Sequence, residues 1–369
     1  TSRQSGATYD FRPGEPALGS FPRRDWQQAL RRVINQAPDE IFGYGDPRGR
    51  RELRQTIAGY VSRVRGVHAN AAATRIFSGF GPSLGFMGEM LRRKGIDRVA
   101  VEQPMLGFHR DILRLVGVQP VPIGVDEHGL RVQDLVDREI RAVLVTPGNQ
   151  QPLGITMSST RRAELIAWAH RVDGWIVEDD YDGEFRYDRR PIGAMQGLDP
   201  ERVLYAGTAS KSLGPGIHLS WLVVPAALRP DLDAVTHLRA GVPTIDQLAL
   251  ADFIERGGYD RHVRRQRRLY RQRRNTLIEK LDDVSWLTVT SSQAGMHLVA
   301  LFGHEAPLGE AALIAKAASA GVALIGLETH FDHDEPGLVI NVSRPADHQF
   351  PAAVDALMNV LTQAATRHT

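Results

Sequence analysis

A lysine surrounded by hydroxyls and glycines is the feature of the sequence best suited to covalent chemistry. Residues 207–216 read GTASKSLGPG, so Lys211 has Thr208, Ser210 and Ser212 as close neighbours and a Gly-Pro-Gly turn behind it. A lysine on a solvated face needs no such company. A lysine at the end of a buried strand acts instead as an amine nucleophile towards a carbonyl group. The stretch therefore indicates a reactive amine beside groups that bind an anion.

A second candidate lies in the stretch EDDYD, which contains Asp179 and Tyr181. Taken alone, this stretch is equally well explained as a solvated turn. Together with Lys211 it suits a pyridoxal phosphate site, in which the lysine forms a Schiff base with the cofactor aldehyde. The carboxylate would keep the pyridine nitrogen protonated, and the phenol would donate to the ring oxygen. The hydroxyls near the lysine and a helix start at FSGFGPSLGF, residues 77–86, would hold the phosphate.

The elements that must position these groups alternate along the chain from about residue 74 to residue 225. Short runs rich in β-branched residues, RVAVE, AVLVTP, GWIVEDD and RVLYAG, are separated by helical stretches. This alternation predicts an α/β fold with a mostly parallel sheet flanked by helices. Ligands of such sheets bind beyond the carboxyl ends of the strands. Each run ends in polar or turn residues, so we expect the four ends to form one site.

The remaining sequence predicts how the chain is divided. The early residues are loop-like, with a helix expected from Asp25, as its N-cap, towards Asn35. Residues 246–282 predict one long arginine-rich helix, and GMHLVALF and GLVINVS predict strands of a smaller α+β domain. We predict an N-terminal arm and small-domain segment at 1–45, a large cofactor-binding domain at 46–235, and an interdomain helix with a C-terminal small domain at 236–369.

Composition narrows the class of protein. The 369 residues include 45 Lys+Arg and 43 Asp+Glu, and this balance does not support nucleic-acid binding by the chain itself. Cysteine is absent, which excludes disulfides and thiolate chemistry. No apolar run is long enough for a membrane span and no signal peptide opens the chain, so we expect a cytoplasmic protein. We interpret HFDHDE as an exposed loop, expect no metal, and interpret the arginines of 261–274 as a solvated or intersubunit helix face.

Seven motifs, in the right order, cover nearly the whole chain. They are YDFRPGEP, FGYGDPRGRRELR, DEHGL, VLVTPGNQQPLGITM, WIVEDDYDGEFRY, YAGTASKSLGPG and RHVRRQRRLYRQRR. With these motifs the chain resembles the fold type I pyridoxal phosphate-dependent aminotransferase family, and within it the MocR branch. In that branch the aminotransferase domain usually follows a winged-helix DNA-binding domain of the GntR kind. The resemblance implies pyridoxal 5'-phosphate as cofactor, an amino compound as ligand, and a homodimer with shared active sites.

The resemblance also implies roles for individual residues. Lys211 matches the Schiff-base lysine, Asp179 the partner of the pyridine nitrogen, and Tyr181 the donor to the ring oxygen. Tyr44 matches a tyrosine that reaches the phosphate of the neighbouring subunit. The other positions that match cofactor-binding residues are Gly79, Phe80, Gly81, Thr208, Ser210 and one of the two amides Asn149 and Gln150.

Four features depart from the family pattern. His218 replaces the arginine that usually pairs with the phosphate, and a histidine lacks the guanidinium fork. Leu106 stands where an aromatic side chain usually stacks on the cofactor ring, and Phe80-Gly81 replaces an alanine-glutamine pair. Val339 stands where the last strand often carries the arginine for the substrate α-carboxylate.

These departures are explained either by neutral drift or by a rebuilt substrate pocket. A rebuilt pocket would take a substrate without the usual carboxylate clamp, or one held by Arg110 or Arg344. We therefore expect a pyridoxal phosphate-dependent enzyme of the aminotransferase type, which acts through an external aldimine in transamination or in elimination and replacement chemistry. The alternative is the effector-binding domain of a MocR/GntR-type regulator that senses the cofactor and an amino ligand, with a DNA-binding domain ahead of Thr1. A degenerate site without cofactor is a third interpretation.

Overall fold

The computed structural model describes residues 6–136, 139–187, 192–237, 241–290 and 294–365. Its helices are α1 (Arg23–Gln36), α2 (Arg51–Arg65), α3 (Phe80–Arg93), α4 (Gly107–Leu115), α5 (Ser159–Arg171), α6 (Arg229–Thr236), α7 (Thr244–Glu255), α8 (Gly258–Leu281), α9 (Glu310–Ser319), α10 (Leu327–Phe331) and α11 (Phe350–Ala365). Its strands are β1 (Tyr9–Asp10), β2 (Thr74–Phe77), β3 (Arg98–Gln103), β4 (Gln119–Asp126), β5 (Gly129–Leu130), β6 (Ala142–Val145), β7 (Trp175–Asp179), β8 (Val203–Thr208), β9 (Ser220–Val223), β10 (Leu287–Thr290), β11 (His297–Phe302), β12 (Val322–Ala323) and β13 (Gly337–Asn341).

Eight strands form the central sheet in the order β2-β9-β8-β7-β6-β3-β4-β5. The pairs from β8 through β7, β6 and β3 to β4 are parallel, whereas β9 and β5 run antiparallel to their neighbours. Every residue of β6, β7 and β8 is buried, as expected for strands that helices cover on both faces. The predicted α/β class is confirmed, and the four runs predicted as strands correspond to β3, β6, β7 and β8.

The sheet brings the carboxyl ends of β2, β7 and β8 to one edge, because these strands run in the same direction. Ser220, at the start of β9, pairs with Thr208 on one side and with Phe77 on the other. Asp179, the last residue of β7, pairs with Ala206 of β8. The turn after β8 therefore lies beside the turn that begins α3, although the two are far apart in the sequence.

A smaller antiparallel sheet, in the order β10-β11-β13, forms the C-terminal part. Its apolar core includes side chains from α8, α9 and α11, and the N-terminal segment joins the same core through Phe11. That segment is also held by β1, which pairs in parallel with β12. The two strands predicted here correspond to β11 and β13. The predicted boundaries at residues 45 and 235 stay predictions.

Three local predictions differ from the structure. The first helix starts at Arg23, so Asp25 lies in its first turn, where a negative charge favours the helix dipole. The single helix expected over 246–282 is split into α7 and α8, because Gly257 between them adopts a left-handed conformation with φ +70°. HFDHDE begins within α10 and is not wholly a loop. Among the described helices, none is both long and apolar enough to cross a membrane.

Candidate active site

Lys211 lies in the turn beyond the carboxyl end of β8. Its Nζ donates a hydrogen bond to the carbonyl oxygen of Gly14, 2.7 Å away. Burial lowers the pKa of Lys211, although the negative charges of Asp182, Asp179 and Glu15 favour its protonated form. The neutral amine, which is the nucleophilic form, is therefore reached at lower pH than in an exposed lysine.

The hydroxyls around Lys211 point in two directions. Thr208 Oγ1 donates to Ser210 Oγ at 3.0 Å and accepts the backbone N–H of Ser210 at 3.1 Å. Ser212 is buried, and its Oγ lies 2.6 Å from the hydroxyl of Tyr259. Ser212 therefore anchors the turn in the core, while the half-exposed Ser210 remains available to a ligand.

The start of α3 lies close to the same turn. Gly79 precedes the helix with φ +93°, a conformation that favours glycine, and no side chain of the described residues caps the helix there. A Cβ placed on Gly79 would lie 3.7 Å from Nδ1 of His218. The helix N-terminus, the serine hydroxyl and the imidazole together form a cradle that fits a phosphate. Gly81 faces α4 instead, where a Cβ would lie 3.3 Å from the ring of Phe108.

Asp179 is buried at the end of β7, and its Oδ1 has no hydrogen-bond partner among the described residues. Burial raises the pKa of this carboxyl well above its usual range, and Asp180 adds repulsion while Lys211 offsets part of the shift. An unpartnered buried acceptor costs about 1–3 kcal/mol unless a ligand supplies a donor. A protonated pyridine nitrogen is such a donor, so the carboxylate fits pyridoxal phosphate.

Tyr181 is fixed by one of the two candidate amides. Its hydroxyl donates to the carbonyl oxygen of Asn149 and accepts from Asn149 Nδ2, each at 3.0 Å. The same Nδ2 donates to Asp182 Oδ2 at 2.7 Å. Gln150 is used elsewhere, because its Nε2 donates to the carbonyl oxygen of Pro104 at 2.8 Å. The structure thus brings Asn149, and not Gln150, to the phenol.

His109 is a candidate that sequence reasoning missed. It lies in the first turn of α4, and its ring centroid is 5.1 Å from that of Phe80 in an edge-to-face contact. Burial, together with the nearby charge of Lys211, lowers the pKa of His109 to about 4, so the ring is neutral at physiological pH. Leu106 instead packs against an apolar cluster of the C-terminal sheet. The available signal was an aromatic ring three residues after Leu106, at helical spacing.

Both arginines predicted to hold a substrate carboxylate are ion-paired within the chain. Arg344 Nε lies 3.0 Å from Asp10 Oδ2, and its Nη2 lies 3.3 Å from Glu15 Oε2. Arg110 Nη1 lies 3.7 Å from Asp332 Oδ2, at the end of α10. These contacts leave the role predicted for the two side chains without direct support from the geometry.

Tyr44 does not join the other candidates within this chain. Its side chain is fully exposed, and that of the nearby Phe42 is 62% exposed. Two exposed aromatic rings on one short segment are what a contact with another subunit would use.

Comparison with known sequences identifies the family. Residues 11–329 match the family described as aminotransferase class I and II. YhdI of Bacillus subtilis, an uncharacterized HTH-type transcriptional regulator, is 35% identical over 90% of this chain and 71% of its own length. The probable rhizopine catabolism regulatory protein MocR of Rhizobium meliloti is 34% identical over 88% of this chain and 66% of its own length. The chain thus spans about two thirds of the length of these regulators.

Known structures share the fold. The multiple substrate aminotransferase of Thermococcus profundus superposes with a TM-score of 0.85 and 22% identity, over 99% of this chain and 93% of its own. The kynurenine aminotransferase of Pyrococcus horikoshii superposes with a TM-score of 0.83 and 23% identity, over 96% of this chain and 90% of its own. The predicted resemblance is confirmed: the chain belongs to the aminotransferase class I and II family, as a MocR-like member with the fold type I architecture.

Proposed function

We propose that this chain binds pyridoxal 5'-phosphate at Lys211 and acts on an amino compound by aminotransferase-type chemistry. The observation that carries the proposal is the buried Asp179, whose Oδ1 lacks a partner among the described residues at the sheet edge that also carries Lys211. Structures of the same fold support it. That of the Pyrococcus horikoshii kynurenine aminotransferase is described as a complex with PMP, and that of LysN from Thermus thermophilus as a complex with N-(5'-phosphopyridoxyl)-L-leucine.

The roles of the residues follow from their surroundings. When bound, the cofactor ring withdraws electrons from the carbon next to the substrate nitrogen. Asp179 holds the ring nitrogen in its protonated form, and Tyr181, fixed by Asn149, meets the ring oxygen. The Lys211 amine transfers a proton to or from the substrate carbon, and its lowered pKa suits it to accept that proton at physiological pH.

The phosphate and the ring face need further contacts. We assign the phosphate to the start of α3 together with Thr208, Ser210 and His218, which meet there. We assign His109 to one face of the ring, as the aromatic side chain that position 106 does not supply. A neutral imidazole packs on an aromatic ring without bringing a second charge close to Lys211.

The site is proposed to be completed by a second copy of the chain. Tyr44 is fully exposed and beyond reach of its own site, so in a homodimer it is free to contact the phosphate of the partner subunit. Tyr44→Phe should then weaken cofactor binding without changing any contact within one chain. A cytoplasmic location stays a prediction.

A second candidate function is supported by the relatives. Two of them, at 35% and 34% identity, are described as regulators, and one of these as an HTH-type transcriptional regulator. In that case the same residues would capture the cofactor and an amino ligand in order to signal, without turnover. The two functions share the site and differ in the fate of the bound ligand, which an enzyme converts and a sensor retains.

Cofactor attachment tests the first step. After incubation with pyridoxal phosphate and borohydride reduction, peptide mass spectrometry should find the cofactor mass on Lys211. The chain has few lysines, namely Lys94, Lys211, Lys280 and Lys316, so the assignment is clear. Lys211→Ala should lose both the modification and the visible absorbance, whereas the matched control Lys280→Ala, at an exposed position on α8, should keep both. Modification of another lysine in place of Lys211 would contradict the site.

Turnover tests the second step. The loaded protein is incubated with a panel of amino compounds, and carbonyl product is measured against the protein concentration. An enzyme forms the amine form of the cofactor or releases product in amounts that grow with time. A sensor shows a stable spectral change and no product. Product formation supports the enzyme, and a stable change without product supports the regulator domain.

A further inference from the structure

The place of the usual carboxylate clamp is filled by hydrocarbon. Val339 of β13 is fully buried in a small apolar cluster of the C-terminal domain. Two partly buried leucines of the large domain, Leu106 and Leu153, pack against that cluster. The buried members of the cluster are Val299, Leu327, Phe331 and Val339. A guanidinium at position 339 is therefore replaced by an apolar wall that spans both domains.

The arginines of the N-terminal and C-terminal segments do not substitute for it. Gly14, whose carbonyl accepts the hydrogen bond of Lys211, is followed by Glu15, and Glu15 pairs with Arg344. Arg344 also pairs with Asp10. Arg12, on the same segment, forms its own 2.7 Å ion pair with Asp10.

The arginines of the large domain are engaged as well. Arg110 pairs with Asp332, and Arg186 Nη1 donates to the carbonyl oxygen of Gly148 at 2.8 Å, next to Asn149. Each of these arginines, Arg12, Arg110, Arg186 and Arg344, thus has a protein partner within the described part of the chain. A ligand carboxylate would have to displace such a partner before it reached a guanidinium.

The charge around Lys211 points the same way. Glu15, Asp179 and Asp182 all lie close enough to Lys211 to stabilise its cationic form. Asp182 is buried and is held by the amide of Asn149. A ligand ammonium is attracted by this set of carboxylates, whereas a ligand carboxylate is repelled by it.

We propose that the ligand of this site is a primary amine that carries an apolar group and has no carboxylate on the carbon next to its nitrogen. The inference rests on the proposed function, because it assigns the substrate class of the same site. Its basis is the apolar wall at Val339 together with the paired state of Arg344 and Arg110. The competing mode of binding is one in which Arg344 leaves Glu15 and clamps a carboxylate.

Matched ligands test the proposal. L-Phenylalaninol and L-leucinol replace the carboxylate of L-phenylalanine and L-leucine by a neutral hydroxymethyl group and leave an amine of similar basicity. The protein loaded with pyridoxal phosphate is titrated with each, and the change in cofactor absorbance gives an apparent Kd. We expect each amino alcohol to bind at least about tenfold more tightly than its amino acid. Equal or tighter binding of the amino acids overturns the inference.

Variants separate the two modes of binding. Arg344→Gln should leave the ratio of the two Kd values within about twofold, because this side chain holds no ligand carboxylate. A selective loss of amino-acid binding in that variant would identify Arg344 as the clamp and overturn the inference. Glu15→Gln should reduce the preference for the amino alcohol, since it removes repulsion and releases Arg344. Glu305→Gln, an exposed position of the C-terminal domain, is the matched control and should change nothing.

The failure of this inference differs from the failure of the proposed function. The mass-spectrometric assay of Lys211 is carried out first on the same preparation. If no cofactor is attached to Lys211, the proposed function is wrong and the substrate class falls with it. If the cofactor is attached and L-phenylalanine binds better than L-phenylalaninol, only the substrate class is wrong.

Discussion

The cofactor side and the substrate side of the candidate site are built in different ways. The cofactor side consists of the ends of β7 and β8 and the start of α3, and it keeps the family residues Asp179, Tyr181 and Lys211. The substrate side consists of the N-terminal segment, the start of α4 and the C-terminal domain, and it has lost the arginine that Val339 replaces. The part of a site held by one sheet edge can thus stay constant while the part assembled from several segments changes.

The physical reason lies in the neighbours of each side. Asp179 and Thr208 end buried parallel strands whose register is fixed along their length, so their positions follow from the sheet itself. Val339 lies in an antiparallel strand of another domain, and its environment depends on side chains from α10 and from the large domain. A change of polarity there alters the ligand that fits and leaves the sheet that carries Lys211 intact.

The largest expected effect is at the ring nitrogen. Asp179→Asn removes the charge of the unpartnered carboxylate, and we expect the Kd for pyridoxal phosphate to rise about ten- to hundredfold, since a hydrogen bond to a charged group contributes about 1.5–3 kcal/mol. Equilibrium dialysis or absorbance titration measures it. Asp111→Asn, at an exposed position of α4, is the control and should bind like the unsubstituted chain. An unchanged Kd in Asp179→Asn would remove Asp179 from the cofactor side.

The next effect concerns the ring face. His109→Ala should raise the Kd for the cofactor about three- to tenfold, because aromatic contacts contribute about 0.5–1.5 kcal/mol beyond the area they bury. His109→Phe keeps an aromatic ring and should restore most of the affinity. The preference among amine ligands should stay the same in both variants. If His109→Phe binds as poorly as His109→Ala, the ring contact is not the function of His109.

A smaller effect, of opposite sign, is expected at the phosphate. His218→Arg supplies the guanidinium fork that the family pattern has at this position, and we expect the Kd for the cofactor to fall about threefold. The gain is limited because residue 218 adopts a left-handed conformation with φ +49°, which any side chain other than glycine tolerates poorly. His237→Arg, at an exposed position, serves as the control. An unchanged or higher Kd would show that His218 does not contact the phosphate.

The smallest effect concerns the stability of the protein without cofactor. Burial raises the pKa of Asp182 from its ordinary 3.8 to about 7, so the folded state binds this proton more tightly than the unfolded state. The contribution of Asp182 to stability is therefore present below about pH 4 and is lost as the pH rises through about 7. Asp182→Asn has no such loss. Between about pH 5 and about pH 8, the Tm of the unsubstituted chain should fall a few degrees more than that of the variant, in scanning calorimetry. Parallel curves would contradict the shift.

Much of the architecture was predictable because it follows from local patterns. Buried β-branched runs that alternate with helical stretches indicated a parallel sheet, and the polar residues after each run indicated its functional edge. The motifs around Lys211 and Asp179 further indicated the family. The helix predicted over 246–282 was wrong in its middle, because a single glycine conformation at Gly257 interrupts a pattern that looks continuous.

The sequence by itself determined the class of fold, the family and the reactive groups, because these depend on residue types and on their order along the chain. Only the tertiary structure decided which of the adjacent amides Asn149 and Gln150 meets Tyr181, and that His109 packs against Phe80. Tertiary structure alone also showed that Arg344 is already paired with Asp10 and Glu15. Hydrogen bonds and ion pairs of this kind join residues that are distant in the sequence, and their partners are fixed by packing between segments, which no local pattern records.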